Sequence, residues 1–182
     1  MKKISLTFLA IIVLMSFTFA QKNKNKPAVF KWYSFEEALE LNKKNPKKIF
    51  VDVFTEWCGW CKKMDAGTFA DSIIRSYMAE HYYPVKLDAE RKDAVEFNGS
   101  TYINPSPGSP RSSHQLATAL LQGRMSYPSF VILNEKFEIL NTIVGFKSAK
   151  DLEPILHFFG DNAFEKTTYT KFSETFVGKV TQ

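Results

Sequence analysis

Residues 49–61 read Ile-Phe-Val-Asp-Val-Phe-Thr-Glu-Trp-Cys-Gly-Trp-Cys, and this stretch decides the fold. Its first six residues are apolar except Asp52, which is typical of a strand buried on both faces of a sheet. Cys58 and Cys61 follow closely, and they are the only cysteines in the 182 residues. A Cys-x-x-Cys pair between a strand and a helix is the minimal unit for reversible thiol–disulfide exchange. Any disulfide within the chain must join these two.

Two structural uses of the cysteine pair stay open beside redox exchange. A disulfide between such close neighbours closes a very short loop, so it would stabilise the fold little. Zinc usually takes four Cys or His ligands, and the three histidines (His81, His114 and His157) lack ligand spacing. We favour redox exchange over both, and we expect neither a metal nor an organic cofactor.

The first twenty residues are typical of an export signal. Lys2 and Lys3 form a positive start, residues 6–15 are mostly apolar, and small residues precede a cleavage point after Ala20. We therefore expect a protein that is exported, periplasmic or secreted. The alternative is an uncleaved membrane anchor, because the apolar stretch 4–20 has 17 residues, at the short limit for spanning a bilayer.

Composition favours one globular domain, at residues 30–160, after a basic leader at residues 21–29. The chain is 45% hydrophobic, and its net charge of +5 includes Lys2 and Lys3 of the signal. Basic and aromatic residues do not interleave as in nucleic-acid-binding surfaces, so we expect no nucleic-acid partner. We also expect a monomer. The tail at residues 161–182 is rich in aromatic residues, and we expect it to pack on the domain.

Periodicity and turn residues predict the order β-α-β-α-β-α-β-β-α. A capping-box pattern at Ser34 starts the first helix, and Asn98–Pro110 reads as a loop that adds no regular structure to the core. Two strands at 130–133 and 139–144 read as an antiparallel hairpin. Pro154 fits best in the first turn of the last helix, where its missing N–H costs little.

This order, with the cysteines at the second strand–helix junction, resembles the thioredoxin fold, an α/β fold whose central mixed β-sheet has helices on both faces. The resemblance covers residues 30–160 and rests also on Asp52, which lies six positions before Cys58. It rests further on Tyr127-Pro128, Gly145 and Lys86. The resemblance implies a buried aspartate paired with Lys86, a cis-proline that faces the active site, and a supporting role for Gly145.

Within that superfamily, residues 57–64 are similar to exported bacterial thioredoxin-like proteins related to the C-terminal domain of the DsbD electron transporter. Two departures are Trp60, which replaces the proline of thioredoxin, and a longer segment at residues 91–126. The resemblance implies an oxidoreductase of disulfide- or dithiol-containing proteins, with a DsbD-type membrane donor as a candidate partner. We favour a reductase, because Asp52 is present and an inserted helical domain like that of DsbA is absent. The alternative is a protein-binding module whose redox cycling is incidental.

The expected mechanism assigns different work to the two cysteines. Cys58 is the nucleophile, because a helix N-terminus stabilises a thiolate, and Cys61 then resolves the mixed disulfide. Asp52 either takes the proton from Cys61 or serves only as the structural partner of Lys86.

The expected docking surface surrounds the pair. Its residues are Trp57, Trp60, Tyr127 and Pro128, with Trp57 mainly packing and Trp60 facing outward. We expect the 98–110 loop to decide partner choice, and an inert surface insertion is the alternative.

Overall fold

The computed structural model describes residues 28–181, so the predicted signal peptide and most of the basic leader lie outside the described residues. The helices in this range are α1 (Phe35–Lys44), α2 (Gly59–Ala66), α3 (Ser72–His81), α4 (Gln115–Leu120), α5 (Ala149–Gly160) and α6 (Tyr169–Thr175). The strands are β1 (Lys48–Phe54), β2 (Tyr82–Asp88), β3 (Val95–Phe97), β4 (Ser100–Tyr102), β5 (Ser129–Leu133) and β6 (Ile139–Val144). None of the described helices combines the length and apolar character that a membrane crossing needs.

The central sheet is mixed and has the strand order β2-β1-β5-β6. Strand β1 pairs in parallel with β2 and antiparallel with β5, and β5 and β6 form the predicted antiparallel hairpin. Alternate residues of β1 enter different cores: Val51 packs with Phe35 of α1, and Phe50 packs with Met64 of α2. Helices therefore cover both faces, and the predicted fold class is confirmed.

The strand that the predicted order places before α1 is reduced to a single bridge, between Tyr33 and Val85. The Tyr33 N–H donates to the Pro84 carbonyl over 2.8 Å, and the Lys86 N–H donates to the Tyr33 carbonyl over 3.2 Å. Continuing the parallel ladder towards Lys31 would require an N–H from Pro84, which proline lacks. The prediction of a full first strand was therefore wrong.

The prediction of a structureless loop at 98–110 was wrong for its first residues. Asn98 and Gly99 have φ values of 50° and 75°, the left-handed pair that a two-residue hairpin turn requires. They join β3 to β4, and Phe97 of β3 is buried with its ring centroid 5.1 Å from that of Phe35. The Asn-Gly dipeptide was the signal for this hairpin.

The rest of that segment is held by the buried side chain of Asn104. Its Nδ2 donates to the carbonyls of Arg91 and Ser112 over 3.1 and 3.0 Å, and more weakly to that of Glu90. Its Oδ1 accepts from the Ser106 N–H over 3.0 Å and from the Ser112 hydroxyl. Asn104 thus ties this segment to the turn that follows β2.

Helix α5 begins earlier than the position of Pro154 suggested. Ser148 is its N-cap and forms a capping box with Asp151, which fixes the start a full turn before the proline. Pro154 therefore lies in the second turn, and the prediction of the first turn was wrong. The Lys150 carbonyl loses its helical donor, but Lys150 is exposed, so water can reach it.

The C-terminal residues lie against α5. The ring of Phe158 is 5.3 Å from that of Tyr169 and 5.4 Å from that of Phe172, centroid to centroid. The buried carboxylate of Glu153 accepts the Lys179 and Val180 N–H groups over 2.7 and 3.0 Å. These contacts pack the aromatic tail against the core on the Phe50 face of the sheet.

Candidate active site

The two cysteines form a disulfide at the N-terminus of α2. Their Cα atoms are 5.3 Å apart, and Cys58 is the N-cap residue, whose Sγ accepts the Cys61 N–H over 3.1 Å. In this oxidised state both residues are buried, with exposed fractions of 5% for Cys58 and 3% for Cys61. The disulfide therefore shows no difference in exposure between the expected nucleophile, Cys58, and the expected resolving residue, Cys61. The attacking role of Cys58 stays a prediction that rests on its place at the helix N-terminus.

The local sequence explains why the pair lies at this point. Strand β1 ends at Phe54, and the Thr55 carbonyl accepts the Cys58 N–H over 3.1 Å, which turns the chain towards α2. Met64 is fully buried and fixes the inner face of the helix. The disulfide is thereby held at the carboxyl end of the central strand.

Asp52 and Lys86 are neighbours in the register of β1 and β2. Asp52 is 1% exposed, and its Oδ2 lies 2.6 Å from Lys86 Nζ, an ion pair. Neither carboxylate oxygen accepts a hydrogen bond of standard geometry from the described residues. Burial raises the pKa of Asp52 to about 6, although the Lys86 ammonium opposes the rise. The structure thus brings the two residues together as the resemblance implied, and their roles stay predictions.

Lys86 has a second acidic partner that the sequence analysis missed. Its ammonium also pairs with Asp65 of α2, and it lies 5.0 Å from the ring centroid of Trp32 and 5.1 Å from that of Phe54. Asp65 adds like charge near Asp52 and so contributes to the raised pKa of that carboxyl. Asp65 follows Cys61 by four residues on one helix, a spacing that could have pointed to it.

The Tyr127–Pro128 peptide bond is cis, as the resemblance implied. The Gly145 N–H donates to the Pro128 carbonyl over 2.9 Å, and Gly145 has a φ of 85°. A residue with a Cβ rarely adopts that conformation. The Tyr127 ring lies edge-on to Trp57 at 5.7 Å between centroids, so the start of β5 returns beside the cysteine pair.

The two tryptophans that flank the cysteines are both about half exposed, at 54% for Trp57 and 56% for Trp60. The exposed fractions therefore do not show the expected contrast between a packed Trp57 and an outward-facing Trp60. The Trp57 indole N–H donates to Glu90 Oε1 over 3.0 Å, and Arg111 Cζ lies 5.5 Å from its ring centroid. Glu90 and Arg111 are distant in sequence, and no motif could have indicated them.

Trp60 has a different environment. Its ring centroid is 5.3 Å from that of Phe146, and Lys63 Nζ lies 4.7 Å from the Trp60 centroid. Lys63 follows Trp60 by three residues, which puts both on one face of α2. Phe146 was not predicted as part of the site, although it directly follows Gly145.

Within residues 28–181 the three histidines cap a helix or pack against a tyrosine ring. His114 is buried and caps α4, because its Nδ1 accepts the Leu116 N–H over 3.1 Å. His81 stacks on Tyr77 and His157 packs against it at a tilt, with ring centroids 4.1 and 3.8 Å from that of Tyr77. In this range no three His, Cys, Asp or Glu side chains are grouped so as to hold a metal ion.

The fold and the site define a thioredoxin-fold protein with a Cys-x-x-Cys disulfide. The family model Thioredox_DsbH, described as "Protein of unknown function, DUF255", matches residues 14–127, and the chain belongs to this family. The resemblance to the thioredoxin superfamily is thereby confirmed.

Two relatives match shorter segments. The disulfide bond reductase DsbH of Chlamydia pneumoniae is 34% identical over 68 residues, which are 36% of this chain and 40% of that protein. An uncharacterized protein of Archaeoglobus fulgidus is 31% identical over 61 residues, 34% of this chain and 48% of that protein. The matched segment thus spans less than half of each relative.

Solved structures show the same fold. A DsbH oxidoreductase superposes with a TM-score of 0.51 at 22% identity, over 81% of this chain and 92% of that one. A thioredoxin-fold protein from Helicobacter pylori gives 0.54 at 15% identity, over 71% and 82%. Both superpositions agree with the thioredoxin fold of this chain.

Proposed function

We propose that this protein is an exported thiol–disulfide oxidoreductase of the DsbH type that reduces disulfides in partner proteins. The observation that carries the proposal is the Cys58–Cys61 disulfide at the N-terminus of α2. The backbone at the cis-Pro128 start of β5 returns beside it, and a buried carboxylate, Asp52, lies on the strand that leads to it.

The reaction is a pair of exchange steps. In the reduced protein the Cys58 thiolate attacks one sulfur of the partner's disulfide, a mixed disulfide forms, and the partner's first thiolate leaves. Cys61 then attacks Cys58 Sγ, which restores the Cys58–Cys61 disulfide and releases the partner's second thiolate. Two electrons pass to the partner. Asp52, with its pKa raised to about 6 by burial, can accept the proton that Cys61 loses.

The direction of electron flow is supported by two observations. The Chlamydia relative carries the name of a disulfide bond reductase, and Asp52 is buried, as the resemblance to thioredoxins implied. A reductase needs a dithiol donor to reduce its own disulfide, and a membrane electron transporter of the DsbD type would supply it. Export rests on Lys2, Lys3 and the apolar residues that follow them.

A second candidate function is protein binding without redox turnover, which the half-exposed Trp57 and Trp60 favour. Insulin reduction by the dithiol form separates the two, because only an oxidoreductase accelerates it. The matched control is a Cys58→Ser, Cys61→Ser double variant, which keeps the surface and lacks the chemistry. No acceleration over this control would favour the binding module.

Equilibration with glutathione gives the direction. A reduction potential near that of thioredoxin, about −270 mV, supports the reductase, whereas one near about −120 mV marks an oxidant.

A further inference from the structure

An ammonium group without an acidic partner lies on the exposed tryptophan between the two cysteines. Lys63 Nζ is 4.7 Å from the ring centroid of Trp60 and 5.4 Å from that of Phe146. Within residues 28–181 no carboxylate lies within ion-pair distance of it. Asp65, the only acidic residue of α2, is bound to Lys86. We call Trp60, Lys63 and Phe146 the basic aromatic cluster.

The other flanking tryptophan has a balanced environment. Arg111 lies over the Trp57 ring, but the Trp57 indole N–H binds the Glu90 carboxylate, and exposed Glu56 directly precedes Trp57. A cation and carboxylates therefore share that side of the cysteine pair. On the side of Trp60, exposed Lys62 precedes Lys63 on α2, and the sequence from Trp57 to Met64 contains no Asp or Glu.

The chemistry of the cluster selects a carboxylate. A cation held over two aromatic rings has lost part of its hydration, and an incoming carboxylate can pair with it while apolar atoms cover the rings. Trp60 lies between Cys58 and Cys61 in the first turn of α2, so a partner that contacts Trp60 lies within about one helical turn of the disulfide. Packing alone would give no preference for charge.

We propose that the basic aromatic cluster selects partner proteins whose reactive cysteine is flanked by Asp or Glu. This inference rests on the proposed function and adds the chemical class of its substrate. The carboxylate of the flanking residue binds Lys63 while the partner's disulfide lies over Cys58. Arg111 contributes less, because Glu90 offsets its charge.

The test compares three short peptides that contain one disulfide and differ only in flanking residues, which are Glu, Gln or Lys. Rate constants for reduction by the reduced protein are divided by those for dithiothreitol, which also attacks as a thiolate but has no cation beside it, so that the intrinsic reactivity of each peptide cancels. A partly exposed ion pair changes a rate by roughly 1.5- to 5-fold. We therefore expect the order Glu, Gln, Lys, with about threefold per step at low salt and almost none in concentrated salt.

The variants keep the inference separate from the proposed function. Lys63→Gln should bring the Glu-to-Lys ratio close to one and Lys63→Glu should invert it, whereas Arg111→Gln should lower the ratio only slightly. Lys44→Gln is the matched control and should leave the ratio unchanged. Lys44 precedes β1 and the cysteines follow β1, so the length of this strand separates them by roughly 20 Å. The Gln peptide reports the basal activity of each variant.

Three outcomes decide. A Glu-to-Lys ratio near one in the parent protein, or a ratio that survives in Lys63→Gln, overturns the inference while leaving the proposed function intact. Reduction of none of the peptides, including the Gln peptide, contradicts the proposed function itself. A ratio lost in Lys63→Gln and kept in Lys44→Gln supports both.

Discussion

Asp52 and Lys86 form an ion pair across adjacent parallel strands, with Lys86 Nζ 2.6 Å from Asp52 Oδ2. The lysine does not belong to Asp52 alone, because its ammonium also pairs with Asp65. The free-energy cost of burying the Asp52 carboxylate therefore exceeds the stabilisation that Lys86 gives it, and the pKa of the carboxyl rises to about 6. The carboxyl group of Asp52, on the strand that leads to the disulfide, thus changes protonation near pH 6.

Asp52→Asn should stabilise the protein at pH 8. The folded-state pKa of about 6 exceeds the ordinary 3.8, so between these values the folded state binds more protons than the unfolded state and stability falls as pH rises. The contribution of the protonated Asp52 carboxyl to the free energy of unfolding is therefore fully present below about pH 4 and is lost by about pH 7. The loss amounts to about 2–3 kcal/mol. Urea unfolding at pH 4 and pH 8 measures it, and a gain that is equal at both pH values would contradict the argument.

Asp52→Asn should also slow resolution of the mixed disulfide near neutral pH. The amide cannot accept the proton of Cys61, and a general base typically contributes at least about 100-fold, of which hydroxide restores a growing part as pH rises. Single-turnover kinetics from pH 6 to 9 measure the effect, and rates equal to the parent would make Asp52 purely structural.

Asp65→Asn is the matched variant. It removes like charge, so the pKa of Asp52 should fall and the pH profile should move to lower pH.

The sequence predicted the fold class and the central residues of the site because these follow from local patterns. The apolar run of β1, the cysteine spacing and Pro128 each carry their own signal. Asp65 was missed although helical spacing pointed to it. Glu90 and Arg111 approach Trp57 only through the tertiary fold, so no local pattern indicates them.

The errors have equally local causes. The first strand was overestimated because Pro84 lies in the neighbouring strand, 51 positions after Tyr33 in a chain whose pairing was not yet known. The hairpin at Asn98-Gly99 was overlooked because the surrounding Ser, Pro and Gly residues dominate the composition, whereas the φ values of two residues decide the turn.

The two cysteines should behave differently when replaced singly. Cys58→Ser should abolish exchange, because it removes the sulfur at the helix N-terminus. Cys61→Ser should accumulate mixed disulfides with partner proteins, because the first step proceeds and the second cannot. Non-reducing electrophoresis after incubation with an oxidised substrate distinguishes them. Faster modification of Cys61 than of Cys58 by iodoacetamide in the reduced protein would reverse the two roles.

Partner choice should depend on the segment that Asn104 holds, because that segment carries Arg111 to the Trp57 ring. Asn104→Ala leaves the part-buried carbonyl groups of Arg91 and Ser112 without this donor, at a cost of about 1–3 kcal/mol. Reduction of a small disulfide such as oxidised glutathione should stay within about twofold, while reduction of the natural partner protein should fall, because preorganised loops on a rigid scaffold confer specificity.

The exposed residues 106–110 provide the control for that prediction. Replacing them with a Gly/Ser stretch of equal length leaves Asn104 and Arg111 in the chain, so stability should change by less than about 0.5 kcal/mol. A full replacement of 98–110, by contrast, would also remove the β3–β4 turn and β4. If Asn104→Ala lowers the reduction of both substrates equally, the segment supports the cysteine site itself. If it lowers neither, the segment is an inert surface insertion.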